Sequence, residues 1–123
     1  MRHELTEQQI EFYQANGFLV IPDFLTTEEL TEWQCCTDEA VAKRLGKSID
    51  QMTNQMNPDD FYTQVFTQCL RLSDTHTGIR QLVHDPKIGR MATVLAGEVG
   101  MRIWHDQALI KPPHGNPTAW HLD

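Results

Sequence analysis

Apolar residues recur at helical spacing through most of the chain and switch to alternation near its end, so the pattern predicts helices followed by strands. Thr6 and Gln9 stand as a capping box, with Leu5 and Ile10 at the staple positions, and predict a helix that stops at Asn16-Gly17. Phe18-Leu19-Val20-Ile21 then reads as a short buried strand ended by Pro22. The same device returns at Thr26 and Glu29, flanked by Leu25 and Leu30. It opens a second helix that carries Leu30, Trp33, Thr37 and Val41 along one face and reaches Leu45-Gly46.

Residues 47–57 are polar and irregular, which suggests a surface connection. Asn57-Pro58 has the order of a cap and a first turn, and Phe61, Tyr62, Val65, Phe66 and Cys69 supply an apolar stripe. A third helix is expected to run to about Leu72. After a polar break from Ser73 to Thr77, Ile79, Leu82 and Val83 predict a short helix ending near His84. Asp85-Pro86 opens another, lined by Ile88, Met91, Ala92 and Leu95 up to Gly97.

The period changes after Gly100. Met101, Ile103, His105, Gln107, Leu109 and Lys111 fall on one side of an extended segment, and Arg102, Trp104, Asp106, Ala108 and Ile110 on the other. This predicts one long strand, or two joined at a bulge. Pro112-Pro113-His114-Gly115-Asn116-Pro117 cannot continue a ladder and reads as a loop, after which Thr118 to Asp123 begins a new strand.

Composition narrows the partners. With 17 acidic and 10 basic residues the formal charge is -7, which offers no electrostatic footprint for nucleic acid or an anionic membrane. No apolar stretch approaches the roughly 18 residues that a membrane span needs. Cys35, Cys36 and Cys69 cannot all pair with one another and match no zinc spacing, so they read as reduced thiols of a cytoplasmic protein. The chain's 123 residues suit a single core, with no internal repeat and no domain boundary.

The chemistry concentrates at His121 and Asp123. Separated by one residue, they point the same way on an extended strand, so an imidazole nitrogen and a carboxylate oxygen can take two adjacent corners of one metal coordination sphere. By itself His-x-Asp is a weak signal, and a hydrogen-bonded strand histidine beside a solvated aspartate explains it better. His105 and His114 could join the pair in a zinc site. Structural zinc, however, is usually closed by four ligands and often uses cysteine, and the cysteines here lie in the helical part. Trp120 is expected to point away from His121 and pack the back of its strand.

Context strengthens the metal reading. The stretch from Arg102 through Trp104-His105-Asp106-Gln107-Ala108-Leu109-Ile110-Lys111-Pro112-Pro113, followed by Thr118-Ala119-Trp120-His121-Leu122-Asp123, resembles the segment around the proximal iron ligands of phytanoyl-CoA dioxygenase-like proteins. These are non-haem Fe(II) and 2-oxoglutarate-dependent oxygenases. The front of the chain is similar too, in Leu5-Thr6, in Phe12-Tyr13 through Asn16-Gly17-Phe18, and in Pro22-Asp23-Phe24-Leu25. The match through Leu70-Arg71-Leu72-Ser73 and the Asp85-Pro86 helix is looser.

The resemblance implies that His121 and Asp123 bind iron, and that Gln107 sits near the cosubstrate, where its amide donates to a carboxylate oxygen. Lys111, on the same side as Gln107, could add positive charge near the anionic cosubstrate, or could be an ordinary surface lysine or salt-bridge partner. The family's later histidine and arginine have no counterpart within residues 1–123. The implied fold is α+β, with N-terminal helices packed on a double-stranded β-helix, or jelly-roll-like, core. Residues 1–123 are expected to form the N-terminal portion of a single domain, mainly helical over 1–99, with opening barrel strands and the proximal metal motif over 100–123. The implied activity is hydroxylation of a small organic metabolite or acyl substrate by molecular oxygen, with formation of succinate and carbon dioxide. The remainder of the barrel is needed to complete the site, so these residues alone are expected to be inactive. A non-catalytic helical binding or structural protein that keeps the front of the family fold is the competing reading.

Overall fold

The computed structural model describes residues 1–46, 65–111, 113 and 115–121. Its order is helix α1 (Glu7–Asn16), helix α2 (Thr27–Leu45), strand β1 (Thr67–Leu70), a 3-10 turn (Leu72–Asp74), helix α3 (Thr77–Val83), helix α4 (Pro86–Ala96) and strand β2 (Gln107–Ile110). The expected surface connection over 47–57 and the start of the expected third helix lie outside the described residues.

Helix boundaries follow the capping chemistry. Thr6 Oγ1 accepts from Gln9 N at 3.2 Å while Thr6 N donates to Gln9 Oε1 at 2.9 Å, which satisfies two amides of the first turn of α1 reciprocally. Thr26 and Glu29 repeat the box on α2, at 3.0 and 3.2 Å. Glu28 and Glu29 in the first turn of α2, and Lys43 and Arg44 in its last, complement the helix dipole. At the other ends Gly17 and Gly46 take φ of 78° and 66°, a left-handed cap that costs an L side chain strain but costs glycine none. Asp85 Oδ1 accepts from Lys87 N at 2.8 Å and Pro86 occupies the first turn of α4, where its missing N–H leaves no bond unmade.

The core gathers Ala40 and Val41 of α2, Cys69 of β1, Leu72 of the 3-10 turn and Ile79 of α3, with Cys36, Leu45, Val83, Ala108 and Ile110 packed around them. The buried face of α2 is therefore Cys36, Ala40, Val41 and Leu45. Of the expected stripe, Val41 is fully buried and Leu30 remains 46% exposed. Helix α1 packs instead against α4.

β1 and β2 pair antiparallel, with Thr67 opposite Ile110 and Leu70 opposite Gln107. The expected helix through Cys69 to about Leu72 is thus corrected. The local apolar spacing suits a helix, but Thr67 to Leu70 takes its extended state from a partner distant in sequence, and such pairing overrides local propensity. Three further expectations change for the converse reason, want of a partner strand among the described residues. Phe18 to Ile21 forms no strand; Phe18 and Val20 are 57% and 72% exposed, and the Phe18 ring meets Phe12 edge-on at 5.4 Å. Of the segment Met101 to Lys111, Gln107–Ile110 alone is strand. Residues 118–121 form none, and 122–123 lie outside the described residues.

The architecture is a mixed α+β domain whose two-stranded antiparallel sheet is not closed. Among the described residues no helix is long and apolar enough to cross a membrane.

Candidate functional site

The two-stranded sheet has two chemically different faces. Thr67, Cys69, Ala108 and Ile110 point toward the helices, while Gln68, Leu70, Gln107 and Leu109 point away and are exposed. Alternation along β2 sets this division, and it puts Gln107 on the face that the helices leave uncovered. On that face the Gln68 side-chain amide donates from Nε2 to Gln107 Oε1 at 2.7 Å.

Asp106, just before β2, anchors the strand to the 3-10 turn. Its carboxylate accepts from Ser73 N at 3.2 Å and from the Ser73 hydroxyl, while its carbonyl accepts from Arg71 N at 2.8 Å. Burial disfavours the charged form of Asp106, but the bonds from the Ser73 hydroxyl and amide, with the Leu72 amide nearby, outweigh it. They hold the carboxyl below its ordinary range. Arg71 adopts φ of 54°, left-handed for a residue with a side chain; that turn lets its N–H reach Asp106 while Ser73 faces the carboxylate.

Arg44, at the end of α2, clamps the same turn from the other side. Its guanidinium donates to Leu70 O at 2.9 Å, Arg71 O at 3.3 Å and Thr75 Oγ1 at 3.2 Å. A cavity of 280 Å³ opens beside this knot, lined by Arg71, Ser73, His84, Trp104, His105 and Asp106 among others.

Lys111 follows β2 directly. Its ammonium donates to Asn116 O at 2.8 Å and Thr118 Oγ1 at 3.4 Å, so it braces the loop that leads to His121. The His121 ring is exposed, and its Nδ1 lies 2.9 Å from Ala119 O. A carbonyl can only accept, so Nδ1 is the donor in this contact. Asp123 lies outside the described residues, and with it the expected common direction of the pair. Trp120 is fully exposed rather than packed behind a strand, because residues 118–121 form no strand for it to back. Among the described residues no group of three or more His, Cys, Asp or Glu side chains could hold a metal ion.

Residue patterns alone did not single out Gln68, Asp106, Ser73 or Arg44. The signal available for Asp106 was its place immediately before Gln107. For Gln68 there was none, because its role depends on the pairing of β1 with β2.

Comparison with curated proteins and with solved structures found no match. The family model described as phytanoyl-CoA dioxygenase (PhyH) matches residues 13–123, which takes in α2, both strands, Gln107, Lys111, His121 and Asp123. Nearly the whole chain is covered, and it therefore belongs to the phytanoyl-CoA dioxygenase (PhyH) family of Fe(II)/2-oxoglutarate oxygenases.

Proposed function

We propose that residues 1–123 provide the helical buttress, the first strands and two of the three protein iron ligands of an Fe(II)/2-oxoglutarate-dependent oxygenase that hydroxylates a small organic metabolite or acyl compound. The observation that carries the reading is the two-faced sheet: helices cover one side, and Gln107 stands on the other. In this reading that sheet is part of the major sheet of a double-stranded β-helix, whose interior wall is the face bearing Gln68, Leu70, Gln107 and Leu109.

The donor set fits ferrous iron. His121 and Asp123 would provide one imidazole and one carboxylate, the mixed set of a facial triad. The remaining histidine, and a basic partner for the far carboxylate of 2-oxoglutarate, would have to come from outside residues 1–123. Bound there, iron would supply the redox chemistry that couples oxidative decarboxylation of 2-oxoglutarate, giving succinate and carbon dioxide, to hydroxylation of the substrate. The chain's own residues bind and orient. Gln107 donates its amide hydrogens to a cosubstrate carboxylate. Lys111 adds positive charge on the same side and holds the loop that carries His121.

The test is 2-oxoglutarate-dependent succinate formation by the full-length gene product under oxygen. Fe(II) should support it, Zn(II) should not, because zinc undergoes no redox change, and His121→Ala or Asp123→Ala should reduce it to the metal-free background. Residues 1–123 expressed alone should give no turnover, since two ligands hold only part of one coordination face. Equal turnover by zinc-loaded, iron-free protein, or by the His121 variant, would refute the proposal.

A further inference from the structure

We propose that Gln68 is a positioning residue for the cosubstrate: its side-chain amide fixes the orientation of the Gln107 amide, so that Gln107 offers hydrogens rather than its carbonyl oxygen to an anionic ligand. The inference rests on the reading of Gln107 given above. A primary amide has one accepting end and one donating end, and rotation by half a turn exchanges them. In isolation Gln107 has no preference. In the structure Gln68 takes one polarity of this pairing: its Nε2 donates to Gln107 Oε1 at 2.7 Å and occupies that oxygen. The Gln107 Nε2 hydrogens are then directed away from Gln68, and no other hydrogen bond engages that amide among the described residues.

Register makes the contact possible. Gln68 pairs with Leu109, and Leu70 with Gln107, so the two glutamines are diagonal neighbours on one face, a separation that long side chains span. Leu70 and Leu109, on the other diagonal, flank the pair with apolar surface. Once that face is covered, their low polarity would strengthen any hydrogen bond beside them and raise the cost of presenting the wrong end of the amide. A carboxylate meeting the Gln107 carbonyl oxygen would face a repulsive dipole with no donor.

Reversing the polarity at position 68 separates this role from simple support. In Gln68→Glu the new carboxylate can only accept, so it should capture the Gln107 hydrogens and turn the carbonyl outward. Gln68→Leu frees the amide to rotate, and Gln68→Lys retains a donor and should retain the orientation. Titration calorimetry of 2-oxoglutarate into the full-length, Mn(II)-loaded protein reads binding without turnover.

Gln68→Glu is expected to weaken binding by about 10-fold or more, Gln68→Leu by about 3-fold, and Gln68→Lys by less than about 2-fold, the scale of one hydrogen bond to a charged group. In a Gln107→Leu background the Gln68→Glu change should have no further effect. Gln68 is exposed, so thermal melts of the variants should match the parent; if Gln68→Glu does not fold, the Gln68→Leu and Gln68→Lys pair carries the comparison. If Gln107→Leu weakens binding while every Gln68 variant binds like the parent, the positioning role is overturned and the reading of Gln107 stands. If Gln107→Leu also binds like the parent, both fall.

Discussion

Replacing Asp106 with alanine should destabilise the fold by about 2–4 kcal/mol, from the loss of two hydrogen bonds to a carboxylate and from the donors it leaves behind. Those donors are the amide and hydroxyl of Ser73, a residue only 7% exposed, so water replaces the lost acceptor poorly. The bond from Arg71 N to the Asp106 carbonyl uses the main chain and survives the substitution, which keeps the estimate below that for loss of the whole knot. Asp106→Asn keeps one carbonyl oxygen as acceptor, and the Ser73 hydroxyl can turn to accept from the new amide. Its cost should be smaller, about 1–2 kcal/mol.

The effect of pH has a definite sign. The Asp106 carboxyl is held below its ordinary range in the fold, so its contribution is complete above the unfolded-state value of about 3.9 and is lost as pH falls through the lower folded-state value. Urea unfolding followed by far-ultraviolet circular dichroism, at pH 7 and then in steps toward pH 2, should show the gap between parent and Asp106→Asn closing across that window. A gap of under about 0.5 kcal/mol at pH 7 for Asp106→Ala, or a gap for Asp106→Asn that ignores pH, would refute the reasoning.

Other substitutions probe the scaffold beneath the site. A Cβ at Gly78 would overlap Cys36 Sγ, so Gly78→Ala should cost about 1–2 kcal/mol in urea unfolding despite alanine's better helix propensity, and adding Cys36→Ala should recover most of it. Leu72→Ala should cost about 2–5 kcal/mol by the same assay, because Leu72 is 2% exposed at the centre of the core. Thr26→Ala removes the acceptor for Glu29 N and should cost about 1 kcal/mol, with Thr26→Ser close to neutral.

The helix ends were legible because each is written in contiguous residues. Thr6 with Gln9, Thr26 with Glu29, Asp85 with Pro86, and Gly17, Gly46 and Gly97 mark caps that local chemistry alone determines. The strands were harder. Residues 67–70 carry an apolar spacing that continues a helical stripe, and what makes them a strand is a partner far along the chain. The Gln68 side-chain bond to Gln107 spans 39 positions. Asp106 was visible as one polar residue in an alternating run, but its anchoring role needs Ser73, which lies 33 positions away. Phe18 to Ile21 shows the converse: an apolar run looks like a strand whether or not an edge exists to receive it. At the site, the sidedness of Gln107 was readable because alternation is a property of the strand itself, whereas the brace from Lys111 to Asn116 and Thr118 depends on how the loop folds back.

Iron binding by the full-length gene product tests the central proposal most directly. Fe(II) titrated anaerobically into the protein, with and without 2-oxoglutarate, should bind at one site per chain and bind more tightly when the cosubstrate is present, since the cosubstrate would join His121 and Asp123 around the same ion. His121→Ala and Asp123→Ala should each weaken that site by at least about 10-fold and remove the effect of 2-oxoglutarate. Undiminished, 2-oxoglutarate-sensitive Fe(II) binding in both variants would contradict the assignment of this pair as iron ligands.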